Sequence, residues 1–225
     1  MEQIAIIVAG GSGKRMNTEI PKQFLLLNGD PVLMRTARAF HQYNPSMKFI
    51  IVLPPDQIKY WQTLCKKHRF NIHHHIVGGG KTRHHSVKNA IREILPGCLV
   101  AIHDGVRPLI SKALIQTCFD TAGILGNAVP AIELSESIRE VRNETNTGID
   151  RSGYRLVQTP QVFQSDLLID AFRQPYTDVF TDEASLVEAA GHKIHLVKGQ
   201  PDNLKITTTL DMCIASAILE NCSEL

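Results

Sequence analysis

The segment Ala9-Gly10-Gly11-Ser12-Gly13-Lys14-Arg15-Met16 follows directly on a short apolar run at 4–9. Glycines let backbone N–H groups close on phosphate oxygens. Lys14 and Arg15 place two positive charges at the loop's exit, and Lys22 adds a third within Pro21-Lys22-Gln23-Phe24. Three cations and several N–H donors around one strand end suit a triphosphate better than a diphosphate bridging two nucleosides. Two familiar phosphate loops do not fit. A P-loop needs Gly at position 8 and Ser or Thr after Lys14, where this chain has Val8 and Arg15. A dinucleotide fingerprint starting at Gly11 needs a glycine at position 16, which is Met16.

Other reactive residue types have plainer readings. His73-His74-His75 and His84-His85 invite a metal, but no ligand at a fixed helical spacing completes a site, and a solvated strand accounts for the first run. Thr181-Asp182-Glu183 precedes an apolar helical pattern and reads as an N-cap with acidic first-turn residues. Cys65, Cys98, Cys118, Cys213 and Cys222 are odd in number, widely spaced and free of any Cys-x-x-Cys. They read as buried, inert thiols in a reducing cytoplasm rather than as a disulfide framework or a zinc site. Trp61 reads as packing.

Composition narrows the class. The chain has 225 residues, with 24 Lys plus Arg against 22 Asp plus Glu, a formal net charge of +2. That balance argues against a protein whose work is coating nucleic acid. With 43% hydrophobic and 20% charged residues it is globular rather than disordered. No apolar run approaches the ~20 residues of a membrane helix, and the N-terminus lacks a signal-peptide pattern.

The elements that must position these residues alternate. Apolar runs at 4–9, 49–53 and 99–103 read as strands buried on both faces, as in parallel sheets. Between and after them, helical patterns are predicted at 31–43, 56–69 with Asp56 as N-cap, 86–95, 166–172, 182–190 and 210–221, with a short strand at 193–197. The fold class is therefore α/β: a single domain over 1–225, with a mostly parallel, Rossmann-like sheet and helices on both faces. The rhythm breaks at 131–163. Alternating segments at 131–141 and 154–163 flank a polar stretch at 142–153, the pattern of a protruding two-stranded β-arm with Arg151 close to its tip.

Gly10-Gly11-x-Gly-x-Arg15-Met16 followed by Pro21-Lys22-Gln23 resembles the nucleotidyltransferases that activate sugar and polyol phosphates. Among them it is most similar to the 2-C-methyl-D-erythritol 4-phosphate cytidylyltransferases. The resemblance continues through Gly79-Gly80-x-x-Arg83-x-x-Ser86-Val87, His103-Asp104-Gly105-Val106-Arg107-Pro108, Asp150-Arg151, Thr159-Pro160-Gln161, Thr181-Asp182-Glu183-Ala184 and Asp202-Asn203-Leu204-Lys205-Ile206-Thr207. It implies a homodimer whose β-arm reaches over the partner. It implies cytidylyl transfer from CTP to methylerythritol phosphate in the non-mevalonate isoprenoid pathway, giving the cytidine diphosphate adduct and pyrophosphate, with Mg²⁺ required.

The resemblance also implies roles. Arg15 and Lys22 match the pair that holds the α-phosphate. Arg151 and Lys205 match residues that position the polyol phosphate, Arg151 for the neighbouring subunit. Ser137 lies where the family has a Thr at the polyol phosphate, and Arg107 and Thr181 belong to the same substrate set. Asp104 matches the residue near the polyol hydroxyls, the nucleotide and the metal. Ala9, Gly10, Gly11, Gly13 and Lys14 match the nucleotide loop, and Gly80 and Ser86 the positions that read cytosine. The spelling departs from the family at Val8-Ala9-Gly10-Gly11, Lys81 and Gly105-Val106, which touches the ribose contacts rather than the reaction. The ribitol 5-phosphate cytidylyltransferases share the loop and Pro-Lys-Gln, and the polyol pocket decides between the two acceptors. A non-catalytic module on this fold predicts loss of the charged residues, whereas Arg15, Lys22, Arg151 and Lys205 are all present.

Overall fold

The computed structural model describes residues 1–10 and 20–221. Gly11, Gly13, Lys14 and Arg15 of the nucleotide loop, and Cys222, lie outside the described residues. The chain opens on β1 (Glu2–Val8), a small ribbon of β2 (Leu26–Leu27) and β3 (Asp30–Pro31), then α1 (Val32–Tyr43), β4 (Lys48–Leu53), α2 (Ile58–Lys67) and β5 (His75–Gly78). It continues through α3 (Arg83–Ile91), β6 (Cys98–Asp104), α4 (Lys112–Leu125), β7 (Asn127–Glu133), β8 (Ile138–Arg142) and β9 (Thr145–Ile149). It closes with β10 (Arg155–Val157), β11 (Gln161–Gln164), α5 (Ser165–Ala171), α6 (Glu183–Ala189), β12 (Leu196–Lys198) and α7 (Thr209–Asn221).

The central sheet has the order β10-β7-β11-β6-β1-β4-β5, with β12 added beside β7. The stretch β6-β1-β4-β5 is all parallel. Strand β11 runs antiparallel between β6 and β7. Pleating sends alternate residues of β1 to opposite faces. Ala5 and Ile7 join Phe40, Trp61, Leu114 and Phe119 of α1, α2 and α4, while Ile4, Ile6 and Val8 join Val87, Leu168 and Leu186 of α3, α5 and α6. Burying Phe40 or Phe119 supplies roughly 1.5–3 kcal/mol of transfer free energy each. Among the described residues no helix is long and apolar enough to cross a membrane.

The parallel register creates the functional edge. Val8 pairs with Val52 and with Asp104, and Leu53 pairs with Gly78. The loops after β1, β4, β5 and β6 therefore emerge level, at the carboxyl ends where open α/β sheets bind ligands.

Several expectations need correction. The arm is shorter than 131–163. Residues 131–133 complete β7, and 161–164 form β11 in the middle of the sheet, where Val162 and Phe163 are fully buried. What protrudes is the hairpin β8–β9, paired from Ile138↔Ile149 to Arg142↔Thr145, with Asn143 in the left-handed region (φ 53°) at its tip. Period-2 alternation does not tell a sheet strand from an arm strand, and burial does. Arg151 therefore sits past the returning strand, at the arm's base. Helix α3 starts at Arg83, capped by Thr82, so Ser86 lies inside its first turn. Helix α2 starts at Ile58, and Asp56 falls in the preceding 3₁₀ turn rather than capping it. Helix α4 adds to the predicted pattern. Its signals were Ser111 as N-cap, Gly126 at the C-cap, and Leu114, Ile115, Cys118 and Phe119 at helical spacing. Cys98 and Cys118 are buried, but Cys213 is exposed.

Candidate active site

Asp104, the last residue of β6, is the hub of the edge. Its Oδ2 accepts from Lys205 Nζ at 2.9 Å and Arg107 Nε at 3.3 Å, and its Oδ1 faces Arg83 Nε at 3.8 Å. Burial alone would raise this carboxyl's pKa. Arg83, Lys205 and Arg107 outweigh burial and hold it well below the ordinary carboxylate range. Arg83 also donates from Nη1 to Glu183 Oε1 at 2.5 Å. Burial works against the Arg83 charge, but Glu183 and Asp104 more than compensate and keep the guanidinium protonated.

The surrounding motifs interlock through the backbone. Asp104 N–H donates to Thr159 Oγ1 at 3.0 Å. Asn203 Nδ2 donates to Thr159 O at 2.8 Å, and Arg107 Nη1 donates to Asn203 O at 2.7 Å. Ile206 N–H donates to Val106 O at 2.9 Å. Lys22 Nζ donates to Ile206 O at 3.1 Å, beside Lys205. A pocket of about 210 Å³ opens here, lined by Arg83, Asp104, Arg107, Thr159, Gln161, Thr181, Asp182 and Lys205 among others. The N-cap reading of Asp182 holds, because its carboxylate accepts from Ser185 N–H at 2.9 Å. Gln161 Nε2 donates to the other oxygen of that carboxylate at 2.7 Å.

Beside this pocket lies the Gly79–Ser86 segment. Gly80 N–H donates to Ser86 Oγ at 3.0 Å, and Ser86 Oγ–H donates to Thr82 O at 2.9 Å. A Cβ on Gly80 would stand 2.5 Å from His85 Cβ, so only glycine fits that turn. A Cβ on Gly10 would stand 3.8 Å from Ser86 Oγ, so Gly10 faces Ser86. Ala9 is fixed at this edge by its N–H to Val52 O (2.9 Å) and by Gln23 Nε2 to its own carbonyl (2.9 Å).

The structure thus gathers Asp104, Arg107, Thr181 and Lys205 around one pocket, with Lys22 next to it through Ile206 O and Ala9, Gly10, Gly80 and Ser86 beside it. It leaves Ser137 and Arg151 apart. Both are exposed, neither lines the pocket, and Arg151 donates to Ser135 O within the arm's own base. Residues without a predicted role also prove central. Arg83, Glu183, Thr159 and Asn203 stand in the quoted motifs, and their place in those motifs was the signal that could have found them. Among the described residues no group of three or more His, Cys, Asp or Glu is placed to hold a metal ion. His74 accepts from Trp61 Nε1 at 3.0 Å instead.

Comparison with known proteins points to one family. The sequence model of the IspD family, 2-C-methyl-D-erythritol 4-phosphate cytidylyltransferase, matches residues 3–221. The protein of that name from Bacteroides fragilis is 48% identical over 219 residues, covering 97% of this chain and 100% of the relative. The crystal structure of the enzyme of that name from Thermus thermophilus superposes with a TM-score of 0.79 at 30% identity, covering 98% of this chain and 100% of the other. The 4-diphosphocytidyl-2C-methyl-D-erythritol synthase structure from Anaerococcus prevotii shares the fold with a TM-score of 0.82 at 24% identity, covering 97% and 98%. The chain belongs to the 2-C-methyl-D-erythritol 4-phosphate cytidylyltransferase family.

Proposed function

We propose that this chain transfers the cytidylyl group of CTP to 2-C-methyl-D-erythritol 4-phosphate, forming 4-diphosphocytidyl-2-C-methyl-D-erythritol and pyrophosphate. The observation that carries the reading is the cationic pocket around Asp104 at the sheet's carboxyl edge, in a chain of this family. An acceptor phosphate oxygen attacks the α-phosphorus in line. The new P–O bond forms as the bond from the α-phosphorus to the bridging oxygen breaks, and pyrophosphate leaves with that electron pair. The protein forms no covalent bond, so its work is positioning and charge cancellation. Lys22, with Arg15, meets the charge that builds at the α-phosphate. Lys205, Arg107 and Thr181 receive the acceptor, with Asp104 orienting the two cations.

Ser86 gives a reason for choosing cytosine. Its O–H is committed to Thr82 O and one acceptor position takes Gly80 N–H, so what remains is an acceptor. It suits the 4-amino group of cytosine and not the 4-carbonyl of uracil.

The residues fit magnesium carried in with the nucleotide. Asp104 offers one permanently ionised carboxylate, the usual protein share when triphosphate oxygens supply other ligands. When bound, Mg²⁺ supplies further neutralisation of the triphosphate. We also propose a cytoplasmic homodimer in which the hairpin of one protomer brings Ser137 and Arg151 to its partner's pocket. An exposed two-stranded ribbon is only marginally stable alone, which supports a packed partner.

Pyrophosphate release with CTP and methylerythritol phosphate tests the reading. Turnover should exceed that with uridine triphosphate, and that with purine triphosphates by more. The erythritol name of the Bacteroides relative favours this acceptor over ribitol 5-phosphate. Faster turnover with ribitol 5-phosphate, or comparable turnover with adenosine triphosphate, would contradict it.

A further inference from the structure

We propose that Arg83 is a positioning residue that fixes the acceptor half of the active site, by holding the Asp104 carboxylate in the one orientation that seats Lys205 and Arg107. The proposal rests on the cytidylyl-transfer reading above. Its first support is the division of labour at Asp104. Lys205 and Arg107 share Oδ2 at 2.9 and 3.3 Å, while Arg83 faces Oδ1 at 3.8 Å. A carboxylate held by one oxygen can rotate, and a cation at the other oxygen stops it.

The second support is Arg83's own placement. It opens α3, a helix with no acidic residue in its first turn. A cation there works against the helix dipole, so local structure does not favour it. Its position is explained across the pocket by Glu183, which opens α6 and is 2% exposed. Glu183 Oε1 takes Arg83 Nη1 at 2.5 Å, and Oε2 has no donor among the described residues. Arg83 thus ties α6 to β6 through two carboxylates. A local rule broken with a distant partner is the pattern of a functional position.

The third support separates the two substrates. The contacts around Ser86 close without Arg83: Gly80 N–H to Ser86 Oγ, Ser86 Oγ–H to Thr82 O, and Asn89 Nδ2 to Gly78 O at 3.0 Å. Losing the guanidinium should therefore disturb the acceptor side and spare the base.

Steady-state kinetics on the full-length enzyme, varying CTP and methylerythritol phosphate separately, tests this alongside thermal unfolding. Arg83→Ala should raise KM for the acceptor by about 10-fold or more and lower kcat, with KM for CTP within about 3-fold of wild type. Arg83→Lys should recover part of the loss, because an ammonium keeps the charge before Asp104 but cannot bridge Asp104 and Glu183 as the guanidinium fork does. Glu183→Gln should shift the acceptor KM in the same direction by less, and the Arg83→Ala/Glu183→Gln double variant should be no worse than Arg83→Ala. Equal rises in both KM values, no recovery with lysine, or an acceptor KM unmoved by Glu183→Gln would overturn the proposal. If Arg83→Ala does not fold, the lysine and glutamine variants decide alone. Wild-type turnover separates the cases: no pyrophosphate release at all sinks the reaction reading, whereas normal turnover with indifferent variants sinks only Arg83.

Discussion

The sheet edge around Asp104 and the hairpin β8–β9 carry residues of one proposed reaction in opposite physical states. At the edge, Asp104 and Arg107 are nearly buried, and neighbouring loops hold them through backbone bonds to Thr159 and Asn203. In the hairpin, almost every residue is exposed, and the pairing is that of two strands alone. The edge is preformed because parallel strand ends converge on it whatever the substrate. Among the described residues the hairpin is held by its own ladder. A group that must be placed with sub-ångström care belongs on the first kind of scaffold. A group that reaches over a partner can sit on the second, and the partner then supplies the missing rigidity.

Substitutions that treat the two regions alike should separate them. The largest stability gap is expected between Ile102→Ala and Val141→Ala. Ile102 is fully buried between β1 and β11, and its truncation should cost about 2–5 kcal/mol. Val141 is 70% exposed, and its truncation should leave the unfolding free energy within roughly 0.5 kcal/mol of wild type. A comparable loss at both would place Val141 in the contact with the partner protomer that the proposed dimer requires. Next comes activity without stability. Lys22→Ala and Arg15→Ala should each lower turnover by on the order of 10²-fold with unchanged unfolding, as for removing one transition-state charge partner. Near-wild-type turnover would remove the residue from the catalytic set.

A pH effect of middling size belongs to the edge alone. His103 is fully buried, with Nε2 at 3.1 Å from Arg107 O, and burial lowers its pKa from 6.5 to about 4. The folded value lies below the unfolded one, so the folded state favours the neutral ring. Its contribution is complete above about pH 6.5 and is lost as pH falls from there toward 4. Between pH 7 and 4.5 the loss from this one group is on the order of 2 kcal/mol. His74 and His84 are also lowered by burial and add to the same window. Asp104 acts elsewhere: its depressed value means its contribution fades only once pH falls below the ordinary carboxylate value near 4. Denaturant unfolding of His103→Asn at the two pH values should show a shallower drop than wild type, and an equal drop would assign the slope to other groups. The smallest effect is expected from Arg142→Ala, which removes the exposed Arg142–Glu140 pair near the hairpin's tip. Unfolding should move by under about 0.5 kcal/mol, and a larger shift would extend the proposed partner contact to the hairpin's tip.

The same contrast explains what was legible in the sequence. β1, β4 and β6 are apolar on both faces, so their parallel burial could be read from residues 4–9, 49–53 and 99–103. Asp104 and Lys205 were legible because their motifs match a family. The ion pair between Arg83 and Glu183 was not, because it joins residues 100 apart in sequence and no local pattern encodes it. The arm's true extent was hidden too. Alternation at 161–164 looks the same in a sheet's centre as in a free ribbon, and only the pairing of β11 with β6 and β7 distinguishes them.

In the proposed dimer each active site joins one protomer's sheet edge to its partner's hairpin. Mixing an Arg151→Ala chain with a Lys22→Ala chain, under conditions where subunit exchange is shown, tests it most directly. Each variant alone should be nearly inactive. The mixed dimer carries both lesions in one site and none in the other, so equal mixing should restore about a quarter of wild-type turnover by random pairing. No recovery despite demonstrated exchange would place Arg151 in its own chain's site, or the activity in a monomer, and the account of a shared site would be wrong.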